Sequence, residues 1–278
     1  MIFRFDQHEV ELALESAVTR GVSVRALIAF SSRGGEKGLR SLESRLRSTG
    51  VAVTRTADDL TRYHSKLMII DRRVLYLMTF NCTRLDIDRS RSFGLVTGDE
   101  LIVREAVRLF EADTDRRPYN PRLDDFVVSP INARKRLTAF IKGAKRQLLI
   151  YDGKLTDPEI VRLLRSHAKA GVEVRVIGRR GDRRLGTQTV HLASMRLHAQ
   201  AIIRDGSQAF LGSQSLRKVE LDARREVGLI TRAPAVVTRL LAIFESDWFT
   251  CLSMKNIPTE SAAGAPAEIT AIQLGARA

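Results

Sequence analysis

The stretch YHSKLMIID at residues 63–71 returns as LHAQAIIRD at residues 197–205, so that His64 has a counterpart in His198 at a shift of 134 positions. In both copies a polar residue follows the His by two places and an Asp by seven, but the polar residue is Lys66 in the first copy and Gln200 in the second. The same shift carries Gly94-Leu95-Val96-Thr97 onto Gly228-Leu229-Ile230-Thr231, and Phe110-Glu111-Ala112-Asp113 onto Phe244-Glu245-Ser246-Asp247. Three blocks in one register mark an internal duplication. Further upstream, SAVTRGVSVR from Ser16 matches SHAKAGVEVR from Ser166 at a shift of 150. The first half therefore carries 16 additional residues, assigned to GGEKGLRSLESRLRSTG with a helix of its own.

Periodicity alternates within each half. Residues 8–20 have apolar positions at helical spacing, Gly21 ends that helix, and VSVRALIAF reads as a strand. LTDPEIVRLLRSHAKAG followed by VEVRVIG repeats the arrangement, with Asp157 and Pro158 suited to the helix start. KLMII, VLYLM and FGLVT, and in the second half AIIR, AFLG and VGLIT, read as short, mostly buried strands, and helices over 99–113 and 233–248 close the halves. Alternating helix and strand in two like halves predicts an α/β fold of two sandwiches about a pseudo-twofold axis. The expected divisions are 1–120 and 121–250, meeting at the RRPYNPRLDD segment of 116–125. From 251 to 278 the composition turns to Ser, Ala, Gly, Pro and Thr, which predicts a loose tail.

The chain has 278 residues, 44% of them hydrophobic, enough for one large core or two smaller ones. No run of about 18 apolar residues occurs, and charges interrupt the start MIFRFDQHEVE, so neither a membrane-spanning helix nor a signal peptide is expected. The expected location is cytoplasmic, with peripheral contact to anionic membrane surfaces. A net charge of +14 draws polyanions: nucleic acid, anionic headgroups or phosphate-bearing substrates. Cys82 and Cys251 have no ligand spacing and read as reduced thiols, and neither a metal nor a cofactor is expected.

Along a strand alternate side chains share a face, which puts His64 beside Lys66 and His198 beside Gln200. Two histidines brought across a twofold axis supply a nucleophile and a general acid, the pair that a two-step displacement at a phosphodiester requires. A cation beside them holds the non-bridging oxygens, where charge gathers in the transition state. Gln200 still donates a hydrogen bond but brings no charge. Arg196, two places before His198 on the same face, is placed to reach the phosphate instead. His8, His167 and His191 are expected to take no part, the FESDW segment of 244–248 to pack a helix, and the basic knot RRGDRR of 179–184 to contact an anionic substrate or solvent.

The spacing resembles the phospholipase D superfamily, with its H-x-K-x(4)-D-x(6)-G-S-x-N signature in each half, and the likeness covers essentially residues 1–250. In the first half His64, Lys66, Asp71 and Asn81 fall on the pattern, with Met78 and Thr79 where Gly-Ser is usual. In the second half His198, Asp205, Gly212 and Ser213 fall on it, with Gln200 for Lys and Ser215 for Asn. The resemblance implies a phosphohistidine mechanism without metal, with His64, His198, Lys66 and Glu226 as catalytic residues. Asn81, Thr79, Gln200, Ser213 and Ser215 join Arg196 as substrate contacts, and Asp71 and Asp205 brace the turns after the motif strands. Glu226, in DARREVGLI, resembles the acid that fixes a catalytic imidazole across the twofold; this pairs it with His64 and makes His64 the nucleophile, whereas its register partner in the first half is only Ser92. Three substrate readings stay open: a phospholipid phosphodiesterase or phosphatidyltransferase like cardiolipin synthases, a nuclease of the same superfamily, and an inactive phosphate-binding or interaction module.

Overall fold

A computed structural model of the chain describes residues 1, 5–30, 35–178, 187–255 and 269–274. The basic knot at 179–184 lies outside the described residues. The first half runs α1 (His8–Thr19), β1 (Arg25–Ile28), α2 (Gly35–Ser48), β2 (Ala52–Arg55), β3 (Arg62–Tyr63), β4 (Leu67–Ile70), β5 (Val74–Met78), α3 (Arg84–Asp88), β6 (Ser90–Thr97) and α4 (Glu100–Asp115). The second half opens with β7 (Phe126–Val128), α5 (Ala133–Lys142), β8 (Gln147–Asp152), α6 (Pro158–Lys169), β9 (Glu173–Gly178) and β10 (Gln188–Val190). It continues through β11 (Arg196–Leu197), β12 (Gln200–Arg204), β13 (Gln208–Gly212), α7 (Lys218–Asp222), β14 (Arg224–Arg225), β15 (Val227–Thr231) and α8 (Pro234–Lys255), and β16 (Ile269–Leu274) comes last.

Local chemistry sets these bounds. Asp157 caps α6 by accepting from the amides of Glu159 and Ile160, with Pro158 in the first turn where its missing N–H is no loss. Gly21 and Gly171, at matching places in the duplicated SAVTRG and SHAKAG, both take φ +86 as α1 and α6 end. The motif hairpins turn on left-handed pairs, Asp71 and Arg72 in one and Asp205 and Gly206 in the other. The additional segment of the first half is α2, whose Leu42 and Leu46 pack with Ile28, Val51 and Val53 into a small satellite core.

The second half holds a seven-stranded sheet ordered β10-β9-β8-β12-β13-β15-β7, parallel through β8 and antiparallel beyond it. Its side chains alternate between two cores. Leu148, Ile150, Ile202 and Phe210 pack under α5 and α6, whereas Leu149, Tyr151, Ile203 and Leu211 face α8. That second core continues through α4 to Leu67, Leu75, Leu77, Phe93 and Leu95 of the first-half sheet, so one apolar interior spans the junction. The first-half sheet is ordered β11-β6-β5-β4, with β1 and β2 paired in a separate two-stranded sheet. The molecule thus has an α/β architecture of two like halves, the second sheet wider than the first.

Two buried ion pairs repeat across the junction. Arg91 binds Asp247 at 2.7 Å and Arg225 binds Asp113 at 3.1 Å, each Arg from one half and each Asp from the other. Both members shift by 134 between the pairs, so the shared register of the FEAD and FESD blocks carries more than helix packing. The expectation of a loose tail from 251 is corrected for the residues described. Cys251 is buried in the central core and α8 runs on to Lys255. Residues 269–274 form β16, parallel to β6. An uncovered strand edge offers unpaired amides and carbonyls to any segment that reaches it, a demand that tail composition does not reveal.

Candidate functional site

The two histidines are positioned by the same main-chain device. β3 pairs in parallel with β14, and β11 pairs in parallel with β6, each a strand of one half against a strand of the other. Directly after these short strands the His64 amide donates to Arg225 O at 2.8 Å and the His198 amide donates to Arg91 O at 3.1 Å. The residue next after each acceptor then decides which group meets the imidazole.

After Arg225 comes Glu226, fully buried, with both carboxylate oxygens 3.0 Å from His64 Nδ1. This is the cross-junction pairing expected for Glu226. After Arg91 comes Ser92, too short to reach, and the acid at His198 is Asp86 of α3, whose Oδ1 stands 3.0 Å from His198 Nδ1. That contact is an ion-pair approach lying off the axis of a hydrogen bond. Asp86 escaped the sequence reading, although a signal existed: its register partner, Glu220, is also acidic. The two acids accept equivalent amides, Asn81 N at 2.9 Å and Ser215 N at 3.0 Å.

Lys66 is buried, donates from Nζ to His64 O at 2.8 Å and lies 3.0 Å from His64 Nδ1. Burial lowers its ammonium to about 8, against the pull of Glu226, Glu220 and Asp86. Burial likewise holds His64 well below the ordinary 6.5, with Lys66 adding to the effect, and pushes Glu226 up to about 7 although Lys66 and a Ser213 hydrogen bond oppose it. His198 is lowered by burial while Asp86 pulls it upward. Burial would raise Asp86, but the contact with His198 and the Asn81 bonds outweigh it and hold this carboxyl below its ordinary value. The charge of Lys66 acts on both imidazoles and on Glu226, and Asp86 in turn pulls on Lys66.

Most of the remaining expected contacts make bonds within the protein. Thr79 and Ser213 are register partners with matching bonds: Phe93 N donates to Thr79 Oγ1 at 3.0 Å, and Val227 N donates to Ser213 Oγ at 3.2 Å. Asn81 donates its side-chain amide to Asp86 at 2.7 Å, and its buried Oδ1 has no hydrogen-bond partner. Ser215 donates its hydroxyl to Asp152. Gln200 is buried at the start of β12, in register with Asp152 of β8. Arg196, expected at the phosphate, has its guanidinium bound to Asp86 and 3.4 Å from Ser90 Oγ. A nearby carboxylate outcompetes an open position for a guanidinium. Asp205 accepts the amides of Lys145, Arg146 and Gln147 and so anchors the start of β8, while Asp71 is exposed in its turn.

His8 and His191 are exposed and His167 lies on α6. Among the described residues no group of three His, Cys, Asp or Glu side chains is placed to hold a metal ion, and no helix is long and apolar enough to cross a membrane. A cleft of about 200 Å³ opens beside the first copy, lined by Phe30, Thr56, Asp58, Leu60, Arg62 and Tyr63.

The family described as Cardiolipin synthase, PLD-like domain matches residues 1–114 and 137–248. Polyphosphate kinase from Porphyromonas gingivalis is similar in fold, with TM-score 0.68 and 19% identity over 89% of this chain and 45% of its own. This chain therefore spans less than half the length of that protein. Nuc from Salmonella typhimurium, a phospholipase D family member, gives TM-score 0.41 and 21% identity over 45% of this chain and 92% of its own. NucT from Helicobacter pylori gives 0.41 and 20% over 45% and 95%.

Proposed function

We propose, for a chain that belongs to the cardiolipin synthase, phospholipase D-like domain family, that it is a phosphodiesterase or phosphatidyltransferase acting on phospholipids through a phosphohistidine at His64. The observation that carries this reading is the Glu226 carboxylate, both of whose oxygens are 3.0 Å from His64 Nδ1. A proton on Nδ1 shared with that carboxylate leaves Nε2 as the basic nitrogen, and the depressed affinity of His64 for protons keeps it unprotonated at neutral pH.

In the first step Nε2 of His64 attacks phosphorus. The bond from phosphorus to the leaving alcohol breaks, and imidazolium at His198 gives that oxygen its proton. The negative charge that gathers on the non-bridging oxygens is met by the Lys66 ammonium. In the second step His198 takes a proton from water or an acceptor alcohol, whose oxygen attacks phosphorus as the P–N bond breaks, and His64 is regenerated. Asp86 assists the first step by favouring the imidazolium, and Glu226 supports both steps by keeping the His64 ring oriented. No metal enters this scheme, since the imidazoles move the protons and Lys66 carries the positive charge.

Phospholipid substrates are supported by the matched family and by two dissimilar motif copies in one chain. Nucleic acid is the second reading, favoured by the net charge of +14, which suits a backbone-directed binder. The test is turnover of bis(p-nitrophenyl) phosphate with EDTA present, then of phosphatidylglycerol vesicles and of DNA, with acid-quenched protein assayed for phosphohistidine. Lipid turnover with a trapped adduct is expected. DNA cleavage alone would transfer the reading to a nuclease, loss of turnover in EDTA would end the metal-independent scheme, and phosphate binding without turnover on any substrate would leave a binding module.

A further inference from the structure

The second motif copy lacks its cation, because Gln200 stands where the first copy has Lys66, and the guanidinium of Arg196 is held by Asp86. The segment that leaves the neighbouring strand beside Gln200 carries a lysine, Lys154. Gln200 opens β12 directly opposite Asp152, the last residue of β8, so the chain leaving β8 passes beside the missing position. Asp152 itself directs that chain, because its Oδ1 accepts the amide of Lys154 at 2.7 Å, an Asx turn that fixes the main chain two residues on. Between them Gly153 packs toward Leu197, the residue before His198, where a side chain added at 153 would meet Leu197 Cδ2 at 3.7 Å. Beyond Lys154 the amides of Thr156 and Asp157 both donate to Leu216 O at 3.0 Å, which pins the segment on its other side.

The Lys154 side chain is half exposed and loosely held. Its Nζ lies 3.5 Å from Glu220 Oε1, an oxygen that also receives Arg217 at 2.6 Å and Arg224 at 3.0 Å. Of the three cations on this carboxylate, Lys154 makes the longest contact, the one most easily exchanged for an anion. A chain of close contacts links this group to the first copy: Glu220 meets Arg224, Arg224 NH1 stands 3.9 Å from Glu226, and Glu226 holds His64. His64, Lys66 and Glu226 all respond to the charge of Lys154.

We infer that Lys154 replaces the missing lysine of the second motif: its ammonium moves off Glu220 and donates a hydrogen bond to a non-bridging oxygen of the bound phosphate opposite Lys66. This rests on the phosphodiester reading of the site. Gln200 then survives as a neutral spacer beside buried Asp152, where a second ammonium would be drawn to that carboxylate instead of the substrate.

The test uses the whole chain in five forms: wild type, Lys154→Gln, Lys154→Arg, Gln200→Lys and the double variant Lys154→Gln/Gln200→Lys. Each is assayed for kcat/KM on bis(p-nitrophenyl) phosphate and for affinity toward inorganic phosphate by calorimetry, with thermal melting as the control for folding. Lys154→Gln is expected to lower kcat/KM by about 10²–10³ and to weaken phosphate binding at an unchanged melting temperature, as removal of one preorganised donor does. Lys154→Arg should restore most of both, and Gln200→Lys should add little either alone or in the double variant, since Asp152 captures that ammonium. A folded Lys154→Gln that matches wild type in both readouts overturns the assignment and leaves the enzyme reading standing. A wild type that binds phosphate without turnover, and loses that binding in Lys154→Gln, supports the assignment while the enzyme reading fails. A wild type that neither binds nor reacts overturns both.

Discussion

In the first motif copy the imidazole of His64 meets Glu226, a residue of the opposite half carried on the connection between β14 and β15, squarely enough for both carboxylate oxygens to reach Nδ1. In the second copy His198 meets Asp86, also of the opposite half, but this acid comes from α3 and its contact is poorly aligned for a hydrogen bond. The main chain treats the copies alike, through equivalent strand pairs, equivalent histidine amide bonds and equivalent Arg–Asp pairs across the junction. Duplication has preserved the frame and let the side chains diverge. Where one copy has Ser92 in place of Glu226, a neighbouring acid meets the histidine; where the other has Gln200 in place of Lys66, the charge is supplied from the adjacent strand in our reading.

The division of labour between the copies is tested most severely at the histidines themselves. His64→Asn is expected to abolish the phosphoenzyme and to lower kcat by about 10⁴ or more, as loss of a nucleophile does. His198→Asn should cost roughly 10²–10⁴ on an alkyl diester and far less on a p-nitrophenyl ester, whose leaving group needs no proton. Rapid-quench detection of the adduct and a leaving-group series read the difference, and equal losses on every substrate would erase the distinction between nucleophile and acid.

The features common to both copies are expected to show in stability. Removing one partner of a buried ion pair leaves an uncompensated charge, so Arg91→Met should destabilise by about 3–5 kcal/mol in urea unfolding. Arg225→Met should behave differently with pH. Its partner Asp113 is already pushed up to about 6 by burial despite Arg225, and rises further without it. A carboxyl raised above its unfolded value of 3.8 favours the folded state at low pH, and that contribution is lost as pH climbs through the folded value. The destabilisation should therefore be smaller at pH 5 than at pH 8, and a pH-independent penalty would count against the buried pair.

A finer contrast lies in the acid arm. Burial places both imidazoles below 6.5, and the scheme needs His64 without its proton and His198 with one, so kcat/KM should rise as His64 loses its proton and fall as His198 loses its own, peaking on the acid side of 6.5. Asp86→Asn removes the anion that favours the His198 imidazolium and should move the alkaline limb to lower pH. The smallest expected effect is that of Arg196→Ala, below about tenfold in rate, since its guanidinium is spent on Asp86 rather than on phosphate. That variant also removes a cation that disfavours the imidazolium, so the alkaline limb should move to higher pH. A loss of 10²–10³ in Arg196→Ala would instead mark it as a phosphate contact.

Much of the fold is legible in the chain alone. Blocks repeated at a single shift mark two halves, alternating periodicities mark α/β layers, and the turn residues Asp71 and Asp205 both adopt the left-handed backbone that such hairpins require. The pairing of Glu226 with His64 is also anticipated, though only from the family resemblance. Asp86 is missed, because a search in strict register looks where Glu226 has its counterpart and finds Ser92.

The sequence by itself determined the duplication, the layers and the two histidines, since these arise from spacing along the chain and from the alternation of side chains on strands. Only the tertiary structure decided which charges meet. Arg196 goes to Asp86, Ser215 goes to Asp152, β16 covers the edge of β6, and the strand that ends two residues before Lys154 lies against Gln200. Electrostatic and hydrogen-bonding partners are chosen by distance in space among several groups of suitable chemistry, and at a junction between halves those distances are set by elements more than a hundred residues apart.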